Sequence, residues 1–497
     1  MVYGKKMIRK IFGKRFEISL SLVILLAVIL RFVNYSNRWG LAYDQARDVI
    51  VSTYALSHHL IPLTGPFSSA GQFVYGPQWV WIVSAFVAVF PGAIMTPWII
   101  QTLLYVLMVL VMFLIGKEIF GRNFGLLTAF FTAISTAQLG QSTNLISPSM
   151  AGIFSIIAVY FFIRYIKYSK NLDAFLLGFL VSNTINIHFQ AIGLIFLLPV
   201  GFLISKRKFK SLLFLGIGAF IPFIPLVIFD LQNKFFESRN ILDYYLYGQN
   251  RLYTPNRWLT YAGVFWPKAW SGIIGGQIIL GYFFAIIFFV FTLWGIVKRK
   301  LDKNMLGLIA AFSLIFIMLR YYKGVIFDGY IVFLHPFVLV FSAWVAYKIF
   351  KFNKFAALLL IVIVFVLTMQ ANIREISVAT NNTAKEATIL RNQLIKKFPS
   401  EKFSVYDYKF SQVNRSYPFV MYMNKDNKID DSGMKIGLAN FNSNDKMRKD
   451  LPIIINDKLG FQIYDLSSSS SATLLKDKWI FVNPSEIYKT SEQWYKE

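Results

Sequence analysis

Asp44 and Asp48 lie four residues apart in Tyr43-Asp44-Gln45-Ala46-Arg47-Asp48, at the head of an amphipathic segment that runs to about Leu60. Carboxylates at i and i+4 share one face of a helix. A carboxylate held against a hydroxyl can take its proton while the oxygen attacks. Asp44 is the expected base and Asp48 its expected assistant, with Arg47 between them as a phosphate ligand or a surface ion pair. Arg320 and Lys323, near the end of a later apolar run, are candidates for holding a phosphate, and Arg251 and Arg257, beside Tyr247, Tyr253 and Trp258, for holding a sugar or headgroup. His188, in Asn186-Ile187-His188-Phe189-Gln190, is a candidate ligand contact at a turn between two apolar runs. Each residue has a plainer counterpart. Asp44 would cap its helix, Arg320 and Lys323 would snorkel to headgroups, the Tyr and Trp residues would form an interfacial belt, and His188 would close a helix end.

No cofactor motif is present. His58 and His59 are adjacent and so point to different faces of a helix, and no His/Asp/Glu group has metal-ligand spacing. No metal site is assigned; a divalent cation on scattered loop carboxylates is left open. The chain has no cysteine, which excludes disulfides and thiolate chemistry.

The elements that must position these residues are membrane helices. The 497 residues are 56% hydrophobic and 18% aromatic, and apolar runs of roughly 17–25 residues recur, each long enough to span a bilayer as a helix. The runs are continuous, not alternating as in membrane β-strands. The net charge of +26 sits mostly in short loops between runs, which is a topology signal and not a nucleic-acid footprint. An N-terminal Lys/Arg cluster precedes an apolar run that lacks a small-residue cleavage site, so it reads as an uncleaved signal anchor.

The expected fold class is a polytopic α-helical membrane protein with a small C-terminal α/β or α+β extracytoplasmic domain. Basic inner loops give about eleven spans with a cytoplasmic N-terminus, near 17–34, 94–115, 124–139, 149–166, 173–188, 190–205, 211–229, 274–297, 304–319, 330–349 and 354–371. Residues 35–93 form a first outer loop in which the apolar segment 77–90 lies in the interface, and 230–272 form a second long outer loop. From 372 to 497 the composition turns polar. A helix is expected over 384–398, with strands near Phe403–Tyr408, Pro452–Ile455 and Trp479–Val482. The localisation implied is a plasma membrane, multi-pass, favouring that of a prokaryote.

The first outer loop resembles that of the GT-C superfamily of membrane glycosyltransferases, and within it glycosyltransferase family 39, the protein-mannosyltransferase and aminoarabinose-transferase group. The matching parts are Tyr43 to Asp48, Tyr75-Gly76-Pro77-Gln78-Trp79, and Trp81 to Pro91-Gly92. The resemblance implies that Asp44 takes the place of the catalytic aspartate and that the donor is a sugar on a polyprenyl phosphate. Gln45 stands where an acidic neighbour is usual, which leaves Asp48 as second carboxylate. Ser147-Pro148 stands where some relatives have Asp-Pro. Lys323-Gly324 followed by Tyr330 is similar to a pattern in the aminoarabinose transferases.

The function expected is transfer of a sugar from a polyprenyl-phosphate donor to a protein, lipid or glycan acceptor on the outer face, with inversion. Membrane lipids are partners and nucleic acid is not. The rival readings are a transporter or flippase of lipid-linked sugars and a polysaccharide polymerase or ligase; a non-catalytic scaffold is a third. The sugar, the acceptor and the lipid are not specified by the sequence.

Overall fold

The computed structural model describes residues 2–68, 71–206, 209–248, 257–322, 328–411, 413–439, 451–456 and 462–493. It shows a layer of long helices with a small mixed sheet at one end. Helix occupies the eleven segments expected to span, and seven helices among the described residues are long and apolar enough to cross a membrane. The chain is a polytopic, multi-pass α-helical membrane protein. Among the seven helices, Gly329–Phe352 is the most enclosed, 89% of its apolar stretch being buried, whereas Ile278–Val297 has 33% buried and turns Ile279, Phe289 and Val297 outward. Apolar side chains facing outward from such helices are what contact with acyl chains requires.

Between apolar helices in lipid there is no water to expel, so close packing must do the work. Helices Asn171–Ile187 and Phe209–Phe220 meet at two glycines: a Cβ on Gly178 would sit 2.3 Å from the Leu215 carbonyl oxygen, and one on Gly218 would sit 2.2 Å from that of Phe175. The backbones touch where side chains would hold them apart.

The segment Gln78–Val89 is a 12-residue helix, about 18 Å long at 1.5 Å per residue. That is short of a hydrocarbon core of about 30 Å, in line with an interfacial placement.

At the C-terminal end, strands β1 (Phe403–Tyr408), β2 (Met434–Ala439), β3 (Ile453–Asn456), β4 (Gln462–Asp465) and β5 (Trp479–Phe481) form one sheet in the order β3-β4-β2-β1-β5. β1 and β2 are parallel, joined through helix Val413–Lys425, and the other pairs are antiparallel. Helices Val413–Lys425 and Pro484–Gln493 carry the sheet onto helix Tyr43–Ser57. A second seam joins residues 376–385 to the turn after the first helix: Thr380 N–H donates to the Asn37 carbonyl at 2.8 Å, and Asn34 Nδ2 to that of Ile376 at 2.8 Å.

The glycine contact predicts that Gly218→Val lowers stability by about 1–3 kcal/mol through overpacking. Gly216, whose Cβ would meet nothing within 4 Å, supplies the control: Gly216→Ala should leave the melting temperature of the detergent-purified protein unchanged or slightly raised.

Candidate active site

The site is built on a chain segment pinned before its helix begins. Arg38 Nη1 donates to the Leu30, Arg31 and Val33 carbonyls at 2.9, 3.2 and 3.1 Å, closing the C-terminal end of the first helix, where such groups lack partners. Arg31, fully buried, ties the same end to the Thr132 and Ala133 carbonyls. Trp98 Nε1 donates to the Gly40 carbonyl at 2.8 Å, and Gly40 N–H to that of Thr143 at 3.1 Å.

Helix Tyr43–Ser57 then starts with Ala42 at its N-cap. Alanine has no capping oxygen, and Gln45 supplies one from inside: its Oε1 accepts the Ala42 N–H at 3.0 Å while its Nε2 donates to Asn144 Oδ1 at 2.7 Å. The residue that replaces an acid in the family pattern thus caps the helix and joins it to the loop at 141–146. Asp44 lies within the first turn and makes no cap, so its capping role does not hold. Its charge is still favoured there by the helix dipole.

Asp44, Arg47 and Asp48 come together as expected. Arg47 Nη1 lies 2.8 Å from Asp44 Oδ1, while Nε and Nη2 lie 2.8 and 2.7 Å from Asp48 Oδ1. Trp79 Nε1 donates to Asp48 Oδ2 at 2.6 Å. The two carboxylates differ sharply in access: the Asp44 side chain is 58% exposed and that of Asp48 4%. Burial pushes the Asp48 carboxyl above its ordinary value, against the pull of Arg47 and Trp79. Three N–H donors on its two oxygens oppose that shift. Burial also disfavours the Arg47 charge, yet Asp48 and Asp44 hold the guanidinium above its usual range. Arg47 directs three of its five N–H groups at the two carboxylates.

Trp79 belongs to a stretch that reaches a second polar group. Gly65 N–H donates to the Tyr75 carbonyl and Tyr75 N–H to that of Pro66, at 2.8 and 2.9 Å. A Cβ on Gly65 would stand 2.3 Å from the Gly76 oxygen. Gly76 N–H donates to the Asn186 carbonyl at 2.8 Å, and the Tyr75 ring lies 5.2 Å from that of His188. His188 is buried and lies 6.0 Å from Tyr330, ring to ring. Both His188 nitrogens, Gln78 Oε1, Asn186 Oδ1 and Arg320 Nε are shielded from solvent and lack hydrogen-bond partners among the described residues. Arg320 stacks over Trp258 at 4.8 Å, and Arg257 donates to the Tyr322 carbonyl. The candidates thus fall into two groups, carboxylates at one end of Tyr75–Trp79 and His188 with Tyr330 at the other. Lys323 and Arg251 lie outside the described residues.

Trp79, Gln45 and Asn144 carried no assigned role in the sequence. A buried indole N–H that must find an acceptor is the signal that marks Trp79. Glu237 was also missed. It is buried, its Oε2 accepts the Val74 N–H at 3.0 Å, and burial pushes its carboxyl up to about 8. Among the described residues no group of three or more His, Asp or Glu side chains could hold a metal ion.

A cavity of about 630 Å³ opens beside Arg47, the partner of both carboxylates, between Tyr43, Arg47 and Phe67 on one side and the C-terminal sheet with helix Pro484–Gln493 on the other.

The family model described as dolichyl-phosphate-mannose-protein mannosyltransferase matches residues 75–229. The match begins at Tyr75 and so leaves Asp44 and Asp48 outside it. No curated protein is similar in sequence. ArnT from Cupriavidus metallidurans bound to undecaprenyl phosphate is similar in structure, with a TM-score of 0.63, 11% identity, and coverage of 90% of this chain and 98% of that one. The Archaeoglobus fulgidus oligosaccharyltransferase in the apo form has a TM-score of 0.53 at 14% identity, over 81% of this chain. The present chain spans 64% of the length of that oligosaccharyltransferase. The chain shares the fold of these two structures, and residues 75–229 resemble the mannosyltransferase family, in line with the resemblance of the first loop.

Two measurements check this geometry. Arg47→Ala leaves a buried carboxylate uncompensated and should cost about 3–5 kcal/mol; Trp79→Phe removes one donor and should cost about 1–3 kcal/mol. Both are read as melting temperature. Glu237 sets a pH dependence. Its folded carboxyl keeps a proton to about pH 8, against an ordinary value of 4.5, so the folded state binds more protons than the unfolded one between those values. Stability should therefore be greatest at the acid end of that window and fall as pH rises towards 8. Glu237→Gln should flatten the profile and exceed the wild type at pH 8.5 by on the order of 1–3 kcal/mol.

Proposed function

We propose that the protein is a glycosyltransferase that moves a sugar from a polyprenyl-phosphate carrier to an acceptor hydroxyl on the outer face of the membrane. The observation that carries this reading is the pair Asp44 and Asp48 clamped by one arginine, with only Asp44 open to a ligand. Asp44 takes the proton of the acceptor hydroxyl as its oxygen attacks the anomeric carbon. The carbon–oxygen bond to phosphate breaks on the opposite side, the lipid monophosphate leaves, and the anomeric centre inverts. Asp48, buried with both oxygens engaged, is a positioning residue that aims Arg47 and through it Asp44.

The donor phosphate belongs at the other end of Tyr75–Trp79, where Arg320, Arg257, Tyr330 and His188 lie and where unpartnered polar atoms await a ligand. Charged donors there would stabilise the negative charge that gathers on the leaving phosphate; Lys323 and Arg251 are assigned to the same task. The fold relative from Cupriavidus metallidurans is bound to undecaprenyl phosphate, which supports a polyprenyl-phosphate carrier here. In this reading the chain makes eleven crossings with its N-terminus in the cytoplasm, residues 1–371 form the membrane domain, and residues 372–497 form an extracytoplasmic one.

Purified protein in liposomes, given radiolabelled polyprenyl-phosphate sugars, tests the reading. Asp44→Asn keeps size and polarity but removes the base, and should lower turnover by about 10²–10⁴-fold while donor binding persists. Equal turnover in variant and wild type would remove Asp44 from the mechanism.

A further inference from the structure

The cavity beside Arg47 has a lining that selects among acceptor classes. We propose, resting on the glycosyltransferase reading above, that it is the acceptor site and that its ligand is an uncharged oligosaccharide. Its volume of about 630 Å³ lies within the roughly 300–1,000 Å³ that accommodates a drug-sized ligand.

Three features of the wall argue for sugar. The first is aromatic. Tyr406 and Phe481 are directly paired across β1 and β5, with ring centroids 5.3 Å apart, so they share one face of the sheet. Tyr43 and Phe410 line the wall as well, 6.4 Å apart. Flat rings on several sides suit the apolar C–H faces of pyranose rings. Because the paired rings stand on the face of the sheet, the cavity offers this platform and not only the open backbone edge that a peptide would extend as a strand.

The second feature is charge. Arg47 and Glu486 are the cation and carboxylate of the described lining, and Arg47 directs Nε, Nη1 and Nη2 at Asp44 and Asp48. The charge of that cation is thus offset by two carboxylates, which disfavours an acceptor phosphate or carboxylate in this wall. The third is Glu486 itself. It is half-buried in the first turn of helix Pro484–Gln493 and its carboxylate has no hydrogen-bond or ion-pair partner among the described residues. An ionised carboxylate can only accept, so it calls for hydroxyl donors. Ser471 and Thr490 add hydroxyls to the same wall. A sugar ring bound here would present its hydroxyls towards Tyr43 and Arg47, beside Asp44.

The test is binding, measured apart from transfer. Full-length protein in detergent is titrated with maltotriose, mannotriose and cellotriose, and with an uncharged Ser/Thr-rich decapeptide, by saturation-transfer NMR. Wild type should bind at least one trisaccharide. Glu486→Gln and Phe410→Ala, the latter at a residue 41% exposed, should each weaken that binding about tenfold with unchanged melting temperature. Binding of no trisaccharide, trisaccharide binding indifferent to both variants, or decapeptide binding that is lost in both would overturn the proposal. The two readings separate cleanly. A protein that transfers sugar from lipid but binds no trisaccharide keeps the glycosyltransferase reading and loses this one. A protein that binds trisaccharide through Glu486 but transfers nothing keeps the site and loses the reading.

Discussion

A carboxylate shut away from water must be given donors or lose its charge, and Asp48 is where that constraint falls on this molecule. Its 4% exposure forces Arg47 and Trp79 into place, since an uncompensated charge there would cost several kcal/mol. Once Arg47 is fixed by two of its nitrogens, its third reaches back along the helix and fixes Asp44. The open carboxylate is therefore oriented by the closed one. Trp79 extends the same logic outward, because an indole aimed at Asp48 sets the position of Gly76 and Tyr75, and these reach Asn186 and His188.

The bilayer explains why so much polar structure collects at one end of the helices. Within hydrocarbon the backbone must satisfy itself, and helices approach through glycines such as Gly178 and Gly218. At the helix ends the backbone is released, and Arg31, Arg38 and Trp98 spend their donors on carbonyls there. The loop that carries the carboxylates is held by these bonds and by the sheet, so a segment joined to spans at both ends is still rigidly placed.

Much of this was legible in the residues. Continuous apolar runs located the helices, since length and hydropathy suffice for a chain in lipid. The spacing of Asp44 and Asp48 gave the helix face, and the runs expected as strands near Phe403–Tyr408, Pro452–Ile455 and Trp479–Val482 fall on β1, β3 and β5. Strands β2 and β4 were harder. β2 has Gly437 in its middle, which a strand pattern disfavours, and β4 is four residues long. The different fates of the two aspartates were not legible, because burial of Asp48 depends on Trp79, 31 residues away, and on packing that no local pattern encodes. The cavity was hidden for the same reason: its two walls come from opposite ends of the chain.

That last feature has a consequence for biogenesis. Chains are made from the N-terminus onward, so Tyr43–Ser57 is inserted early, with Tyr43 and Tyr54 lacking the rings of Tyr417 and Tyr488 that later cover them at 4.9 and 5.0 Å. The membrane helices between are all made before β5 and helix Pro484–Gln493 arrive. The aspartate helix is therefore made long before the opposite wall of the cavity, and its aromatic face stays uncovered until the C-terminal sheet folds onto it.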